Sequence, residues 1–269
     1  MDIRTIKDKG ELLKYKSDIL KLFSQVFDEE LSEDLWRWAY IDNPFGDPSV
    51  SLCLDEGVVG HYAAIPYPLE DNARNEYSAF LSMTTMVASS HRKYGLFTKL
   101  ATATYQELRD RGADWVMGFP NEMSAPGFRK RLDWTVLDAD YVVSVNRKQL
   151  LEVAESIKSH MDEMPRTLTA NLSEESVRTW RLSKPGADYK WTNGVAYKTF
   201  GDQVDVMYYE DVECLRELPE SPLYNILVPR DVVKNMEVVS FEYQFGGIGL
   251  NKDFSPEHVR RQMCMSDVF

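Results

Sequence analysis

A short basic segment at residues 89–97, with the sequence SSHRKYGLF, separates an apolar run from an amphipathic run. Residues 80–87 before it are rich in types that favour β-strands, and residues 96–112 after it carry apolar side chains at helical spacing. A helix N-terminus leaves four backbone N–H groups without internal partners and carries positive partial charge. Gly95 lets a ligand approach this backbone closely. The segment therefore predicts a strand-turn-helix unit that holds a phosphate group.

A second strand, bend and helix follow directly in the sequence. Residues 114–120 form an apolar run typical of a buried parallel strand, and Asn121 and Glu122 end it. Residues 124–134 then begin as a short helix and end in the letters FRKRLDW. The order of strand, basic turn, helix, strand, bend and helix predicts an α/β fold.

These motifs resemble those of the GNAT (Gcn5-related N-acetyltransferase) acyltransferase superfamily. Its acyl-CoA pyrophosphate loop reads Q/R-x-x-G-x-G/A, and residues 92–97 match at Arg92 and Gly95 and depart at Phe97. The letters FRKRLDW resemble the tail of the family's following helix, with Asp133 in place of a glycine. The six-residue loop alone is equally compatible with an ordinary solvated turn, so the resemblance depends on the order of the elements.

The resemblance implies a GNAT fold, in which helices flank a mixed and mostly antiparallel central sheet. We expect this acyl-CoA-binding domain in residues 1–145 and a second, smaller α/β lobe in residues 146–269. Trp180 and a Lys-Pro-Gly turn in the second lobe echo Trp36 and an Asn-Pro-Phe-Gly turn in the first. We interpret the second lobe as a degenerate GNAT-like repeat on the acceptor side. The alternative is coincidence between two helices that each needed a tryptophan.

The resemblance also implies acyl-CoA as the donor. Its pyrophosphate would lie on the backbone N–H groups of residues 92–97, and its pantetheine arm would run beside residues 83–87 like an added strand. A backbone N–H near the end of that strand would stabilise the oxyanion, and an asparagine would hydrogen-bond the pantetheine amide. The predicted cofactor-binding residues are Met86, Val87, Arg92, Lys93, Tyr94, Gly95, Leu96, Phe97 and Asn121.

A neutral amine would attack the thioester directly in a ternary complex, so a base is needed only to remove the proton of the amine. Many GNAT enzymes place a tyrosine as general acid after the Asn bend, but Phe128 stands at that position. His61, on the strand beside the cofactor strand, and Glu122, beside the second strand's end, are the predicted catalytic residues. A structural histidine and a solvated loop glutamate are the alternative interpretations.

Composition excludes several other classes of protein. Lys plus Arg total 31 against 43 for Asp plus Glu, a net charge of −12, which disfavours binding to nucleic acid. Cys53, Cys214 and Cys264 form no C-x-x-C pair, so we expect neither a disulfide framework nor a metal site. No apolar run reaches membrane-spanning length and no leader-like segment is present. We therefore expect a soluble cytoplasmic protein that does not bind membranes.

The acceptor follows from a narrower resemblance. Residues 36–46 and 60–66 are similar to a GNAT branch associated with bacterial surface-polysaccharide and nucleotide-sugar pathways. This predicts transfer of an acetyl or longer acyl group to an amino sugar linked to dTDP or UDP. The alternatives are a small amine, amino acid or antibiotic as acceptor, and a non-catalytic acyl-CoA sensor. Tyr208 and Tyr209 would serve a homodimer contact or cover the core.

Overall fold

Three β-sheets and seven α-helices make up the part of the chain that the computed structural model describes, residues 1–233 and 238–266. The strands are β1 (Asp2–Ile6), β2 (Ser49–Leu54), β3 (Val58–Pro66), β4 (Leu69–Asp71), β5 (Glu76–Tyr77), β6 (Ala79–Val87), β7 (Trp115–Gly118), β8 (Thr135–Val136), β9 (Asp140–Val145), β10 (Leu168–Thr169), β11 (Lys190–Thr192), β12 (Val195–Phe200), β13 (Gln203–Tyr209), β14 (Tyr224–Val228), β15 (Val238–Tyr243) and β16 (Gly246–Gly249). The helices are α1 (Lys9–Leu12), α2 (Lys16–Phe27), α3 (Glu33–Tyr40), α4 (Leu96–Arg111), α5 (Ala125–Arg131), α6 (Arg147–Asp162) and α7 (Glu175–Leu182).

The first sheet has the strand order β1-β2-β3-β6-β7-β16-β8. Its strands pair antiparallel except β6 and β7, which run parallel. Helices α4 and α5 cover one face, whereas α2 and α3 pack on the other face with parts of the second lobe. The predicted mixed, mostly antiparallel sheet flanked by helices is confirmed.

Local capping explains where two of the helices begin. Ser32 precedes α3, and its hydroxyl accepts a hydrogen bond from the Leu35 backbone N–H at 3.1 Å. Asn146 and Gln149 form a capping box at the start of α6, each side chain accepting from the other residue's backbone N–H. These helices are therefore specified by residues within four positions of their ends.

The strand β16 enters the first sheet from far along the chain and pairs with both β7 and β8. A Cβ built on Gly246 would lie 2.5 Å from the Thr135 carbonyl oxygen, and one on Gly247 would lie 2.6 Å from that of Val116. Only glycine fits at these two positions, because any side chain would overlap the neighbouring backbone. The first sheet is thus completed by residues that sequence analysis assigns to the second lobe.

The second sheet has the order β11-β12-β13-β14-β9-β15, with β13 and β14 parallel. Helix α6 packs against this sheet through apolar side chains such as Leu150 and Ile157. The chain after Trp134 is divided between the sheets, since β8 pairs in the first sheet and β9 in the second. The domain boundary after residue 145 stays a prediction, and β9 and β16 are where the chain passes between the two sheets.

Tyr208 and Tyr209, considered above for a dimer contact, lie in β13 with 4% of each side chain exposed. They therefore cover core. Among the described helices, none combines the length and apolar character that crossing a bilayer would require.

Candidate functional site

The parallel strands β6 and β7 separate after a short paired region. Their pairing runs from Ala79 opposite Trp115 to Leu81 opposite Met117, and beyond it β6 continues beside β3. A cavity of about 350 Å³ fills the opening between the two strands. The cavity is lined by Phe23, Phe27, Leu81, Ser82, Met83, Thr84, Thr85, Gly118, Phe119, Pro120, Asn121, Ser124, Phe128 and Trp134. We call it the splay cavity.

Gly118 lies at the closed end of the splay cavity, where no larger residue fits. A Cβ on this residue would lie 3.1 Å from the Ser82 backbone oxygen and 3.4 Å from the Trp134 ring. Because the first of these contacts is to backbone, any side chain at this position would push the two strands apart. The closed end of the opening is therefore formed by backbone and by the side chain of Ser82.

The basic segment after β6 forms a 3₁₀ helix from Ser89 to Tyr94 rather than an open turn. Gly95 follows it at φ +67° and directly precedes α4, whose first turn is capped by no described side chain. Arg92 and Lys93 are exposed. The uncapped N–H groups of a sixteen-residue helix, with two cations beside them, are suited to an anion, and we call this the anion-binding surface.

His91 fixes this basic segment to the β2–β3 turn. Its Nε2 lies 3.0 Å from an Asp55 carboxylate oxygen, and its Nδ1 lies 2.8 Å from the Ser90 hydroxyl. The contact lowers the pKa of Asp55, mainly through the hydrogen bond from His91. The basic segment is thus held against the β2–β3 turn of the first sheet, a contact that sequence analysis did not identify.

Phe97 departs from the family motif, and its side chain packs against α5. Its ring lies 5.2 Å from the Phe128 ring in an edge-to-face arrangement, and a Cβ on Gly127 would lie 3.1 Å from it. Leu96 is buried and Tyr94 is exposed beside Lys93. The large side chain therefore points away from the ligand-facing backbone of the loop.

Strand β6 carries a bulge beside the splay cavity. His61 pairs with Met86 and Ala63 with Met83, so β6 has one residue more than β3 between these pairs. Thr84 lies in the bulge at φ +51°, a left-handed conformation that is unfavourable for a β-branched residue. The His61 Nδ1 lies 2.7 Å from the Thr84 carbonyl oxygen and so donates its proton to it.

His61 itself has no exposed surface. Burial lowers its pKa from 6.5 to about 4, against an opposing effect of the Thr84 carbonyl, so the ring is neutral at physiological pH. Its Nε2 is buried and has no hydrogen-bond partner among the described residues. The histidine contacts the backbone of the cofactor strand and does not line the splay cavity.

Of the other predicted site residues, some line the splay cavity and others lie outside it. Asn121 lines the splay cavity, and its side-chain oxygen accepts a hydrogen bond from the Ser124 N–H at 2.9 Å. Glu122 is exposed and is not part of the lining, and Met86 and Val87 lie beyond the bulge. The structure thus brings Asn121 to the cavity and leaves the two catalytic candidates outside its wall.

A chain of buried hydroxyl groups reaches the cavity and was missed by sequence analysis. The Trp134 Nε1–H donates to the Tyr105 hydroxyl, which lies 2.8 Å from the Tyr62 hydroxyl, and this lies 2.8 Å from the Ser82 hydroxyl. Burial raises the pKa of both tyrosines, so both stay protonated. No short motif contains these residues, because they come from β3, β6, α4 and the segment before β8.

A second and larger cavity of about 540 Å³ borders the beginning of β6. Its charged lining residues are Glu70, Glu76, Asp114 and Glu174, and its aromatic ones are Phe45, Tyr77 and Phe80. Arg74 and Lys252 form ion pairs with Glu70 and Asp114 from outside the lining. We call it the acidic cavity.

Comparison with known proteins agrees with the fold. The model of the acetyltransferase (GNAT) domain family matches residues 6–137. A search by sequence finds no similar protein of curated function.

Solved structures share the fold at low sequence identity. A GCN5-related N-acetyltransferase from Kribbella flavida has a TM-score of 0.62 and 13% identity, over 93% of this chain and 72% of that one. A probable N-acyltransferase from Enterococcus faecalis has 0.61 and 11%, and Eis1 from Mycobacterium abscessus has 0.55 and 12%, each over 91% of this chain and 72% of the other. At such identities these likenesses describe the fold alone.

The matched segment contains β6, the basic segment, α4 and β7, which together form the anion-binding surface and the splay cavity. Residues 6–137, just under half of the chain, therefore match the acetyltransferase (GNAT) domain family, and the protein is an acyl-CoA-dependent N-acyltransferase.

Proposed function

We propose that this protein transfers an acyl group from acyl-CoA to the amine of an amino sugar, by direct attack in a ternary complex. The observation that carries the proposal is the continuity of the anion-binding surface and the splay cavity along β6. From Val87 to Ser82 the strand extends about 17 Å, at roughly 3.3 Å per residue. A ligand with a diphosphate at one end and an extended amide arm matches this layout.

In the proposed complex the pyrophosphate lies on the backbone from Arg92 to Phe97, with the charge of Lys93 beside it. The pantetheine arm follows β6 on the side that β7 leaves unpaired. Asn121 lines the cavity, and its amide nitrogen would donate to a pantetheine carbonyl. The thioester then lies near the bulge at Thr84, because the cavity is lined by the strand up to Thr85.

Chemistry in this complex depends on orientation and on backbone donors. Met86 and Val87 continue β6 past the bulge, and we propose that a backbone N–H there or within the bulge donates to the thioester oxygen as negative charge develops. His61 would act by holding the bulge, since its ring contacts the Thr84 carbonyl and has no exposed surface. Glu122 is the proposed base, exposed beyond the end of β7.

The acidic cavity supports an amine acceptor. Carboxylates attract a protonated amine, and aromatic rings such as those of Phe45 and Tyr77 pack against sugar or base rings. The acidic cavity follows the early part of β6, at Ala79 and Phe80, and the splay cavity follows its continuation.

Two kinds of acceptor are supported by different observations. The resemblance of residues 36–46 and 60–66 to a nucleotide-sugar branch favours a dTDP- or UDP-linked sugar from surface-polysaccharide synthesis. The negative lining of the acidic cavity favours a second candidate, a small molecule with several amines and no phosphate. A diphosphate next to Glu76 and Glu174 would be repelled unless it lay outside this cavity.

Release of free CoA thiol from acetyl-CoA tests the proposal. The acceptor panel contains dTDP- and UDP-linked amino sugars, free amino sugars with one or several amines, and amino acids. We expect turnover with amino sugars, and the better form identifies the acceptor class. Turnover restricted to amino acids would contradict the amino-sugar proposal, and tight acyl-CoA binding without any turnover would indicate a sensor.

A further inference from the structure

The splay cavity is lined from both faces of the first sheet. Phe128 and Trp134 belong to the apolar cluster on the face that α4 and α5 cover. Phe23 and Phe27 come from α2, which packs on the opposite face, and the centres of their rings are 4.7 Å apart. The opening between β6 and β7 therefore connects the two faces of the sheet.

The side chains of β6 show the same division, because successive residues of a strand point to opposite faces. Leu81 and Met83 pack in the apolar cluster of the α2 face. Ser82, between them, donates a hydrogen bond to the Tyr62 hydroxyl, which belongs to the cluster of the α4 face. Along β6 the cavity is thus bordered by a hydroxyl group toward α4 and by apolar side chains toward α2.

The proposed donor would enter this opening from the α4 face, because the anion-binding surface includes the N-terminus of α4. Its pantetheine arm would follow β6 into the cavity, so the atoms beyond the thioester carbon point toward α2. These atoms are the acyl group. On the proposed function, the acyl group therefore lies against Phe23 and Phe27, with Met83 and Phe119 beside it.

The surface that α2 presents to the cavity is apolar and incompletely buried. Phe27 is 45% exposed at the C-terminal end of α2, and Phe23 and Met83 are partly buried. Because Phe23 and Phe27 are four residues apart, their rings cover about one helical turn, roughly 6 Å. An acetyl group offers one methyl group to this surface, whereas a longer hydrocarbon chain would contact both rings and remove more apolar area from water.

The charge of the lining restricts the acyl group further. The residues that the structure shows lining the splay cavity include none with a charged side chain. A carboxylate at the end of an acyl chain would lose water there without gaining a cation, which is unfavourable. The surface is therefore suited to a hydrocarbon chain and unsuited to a chain of the same length that ends in a carboxylate.

We propose that the donor is an acyl-CoA with a short unbranched hydrocarbon chain longer than acetyl, and that Phe23 and Phe27 determine this specificity. The inference rests on the proposed acyl transfer and names the class of acyl group. The chain lies across the two rings, and the unbranched side chain of Met83 adjusts to its length.

Calorimetric titration of the full chain with acetyl-, propionyl-, butyryl- and succinyl-CoA tests the proposal without any knowledge of the acceptor. We expect Kd to fall about fourfold for each methylene added from acetyl- to butyryl-CoA, about fifteenfold in all, because each methylene moves from water to an apolar surface. Succinyl-CoA has the chain length of butyryl-CoA and a terminal carboxylate. It should bind no more tightly than acetyl-CoA.

Variants assign the preference to the two rings. In Phe27→Ala the ratio of the Kd values for acetyl- and butyryl-CoA should fall from about fifteen to about three or less, whereas Phe27→Leu should keep most of it. Phe23→Ala should lower the ratio in the same direction, and it carries the test if Phe27→Ala does not fold. Phe200→Ala is the matched control and should keep the wild-type ratio, since Phe200 is 67% exposed in β12 of the second sheet.

The outcomes separate the two proposals. Equal Kd values for acetyl- and butyryl-CoA in wild type, or succinyl-CoA bound as tightly as butyryl-CoA, overturn the hydrocarbon preference and leave the acyl transfer standing. A wild-type ratio that persists in both Phe27→Ala and Phe23→Ala overturns the role of the rings, as does a loss of the ratio in Phe200→Ala. A wild-type protein that binds none of these acyl-CoA molecules overturns both proposals.

Discussion

At the scale of single residues, the same chemical group can be interpreted in two ways until its surroundings are known. His61 is a strand histidine next to the cofactor strand, which is compatible with a general base. Its surroundings give it a hydrogen bond to the bulge at Thr84 and no exposed surface. A neutral ring with one N–H donor at this place stabilises the backbone of the bulge. Its lowered pKa should then make the stability of the fold depend on pH.

Stability should therefore depend on pH through His61. Its pKa is about 4 in the folded chain against 6.5 in the unfolded chain, so between these values only the unfolded state binds the proton. The free energy of unfolding should fall as pH drops through this window, by about 2 kcal/mol from pH 7 to pH 5. Urea unfolding at both pH values checks this.

The control is His61→Asn, whose amide N–H replaces the Nδ1 donor without a titrating group. Between pH 7 and pH 5 its free energy of unfolding should fall by about 2 kcal/mol less than that of wild type. Its kcat should stay within about threefold of the wild-type value. An equal pH dependence in the two proteins contradicts the burial argument. A fall in kcat of a hundredfold in a folded variant would instead support His61 as the base.

At the scale of elements, the strand-turn-helix unit from β6 to α4 depends on one backbone conformation. Gly95 has φ +67°, and a Cβ added there would meet no atom within 4 Å. A substitution at Gly95 therefore destabilises the fold only through the strained backbone conformation. It weakens ligand binding only by occupying the space where the ligand would lie. Gly112 at the other end of α4 has φ +85° and equally open surroundings, so the helix carries its own control.

Gly95→Ala should lower the free energy of unfolding by about 1 kcal/mol and weaken binding of coenzyme A about tenfold. The left-handed conformation explains the first effect, and a methyl group between the backbone and the pyrophosphate explains the second. Chemical denaturation and calorimetric titration measure the two effects separately.

Gly112→Ala should cause a similar loss of stability and leave coenzyme A binding unchanged. If Gly95→Ala binds coenzyme A as tightly as wild type, the pyrophosphate does not lie on this backbone. Gly95→Asn, which tolerates the left-handed region, should recover part of the stability and none of the affinity.

At the scale of the whole molecule, helices α3 and α7 join the two lobes through a symmetric contact. The Trp38 Nε1–H donates to the Trp180 carbonyl at 2.7 Å, the Trp180 Nε1–H donates to the Trp38 carbonyl at 2.9 Å, and the rings stack 5.1 Å apart. The expected repeat pairs Trp180 with Trp36. The residue that contacts Trp180 is Trp38, two positions beyond Trp36, and the repeat itself stays a prediction.

A double-mutant cycle of Trp38→Phe and Trp180→Phe should give a coupling energy of about 1–2 kcal/mol in the free energy of unfolding. Each single variant breaks one half of the reciprocal pair, so their effects should not add. Trp36 is the matched control, since it lies buried on the same helix and its Nε1 has no described partner. Coupling no larger than that of the Trp36→Phe, Trp180→Phe cycle would contradict a specific link between the lobes.

Several parts of this molecule were predictable because they depend on neighbours in the sequence. The strand β6, the helix α4 and the strand β7 lie where the runs at residues 80–87, 96–112 and 114–120 predict them. The 3₁₀ helix at residues 89–94 was not expected, since a basic turn and a 3₁₀ turn share the same composition.

The sequence alone determined the strand-turn-helix unit and the basic segment with Gly95, because a strand, an amphipathic helix and a left-handed glycine are specified within a few residues. Only the tertiary structure decided that β16 completes the first sheet, that His61 lies under the bulge, and that Ser82 ends a chain through Tyr62. These depend on which distant strands pair and in what register. Such pairings are fixed by the packing of the whole core, to which each residue contributes only a small part.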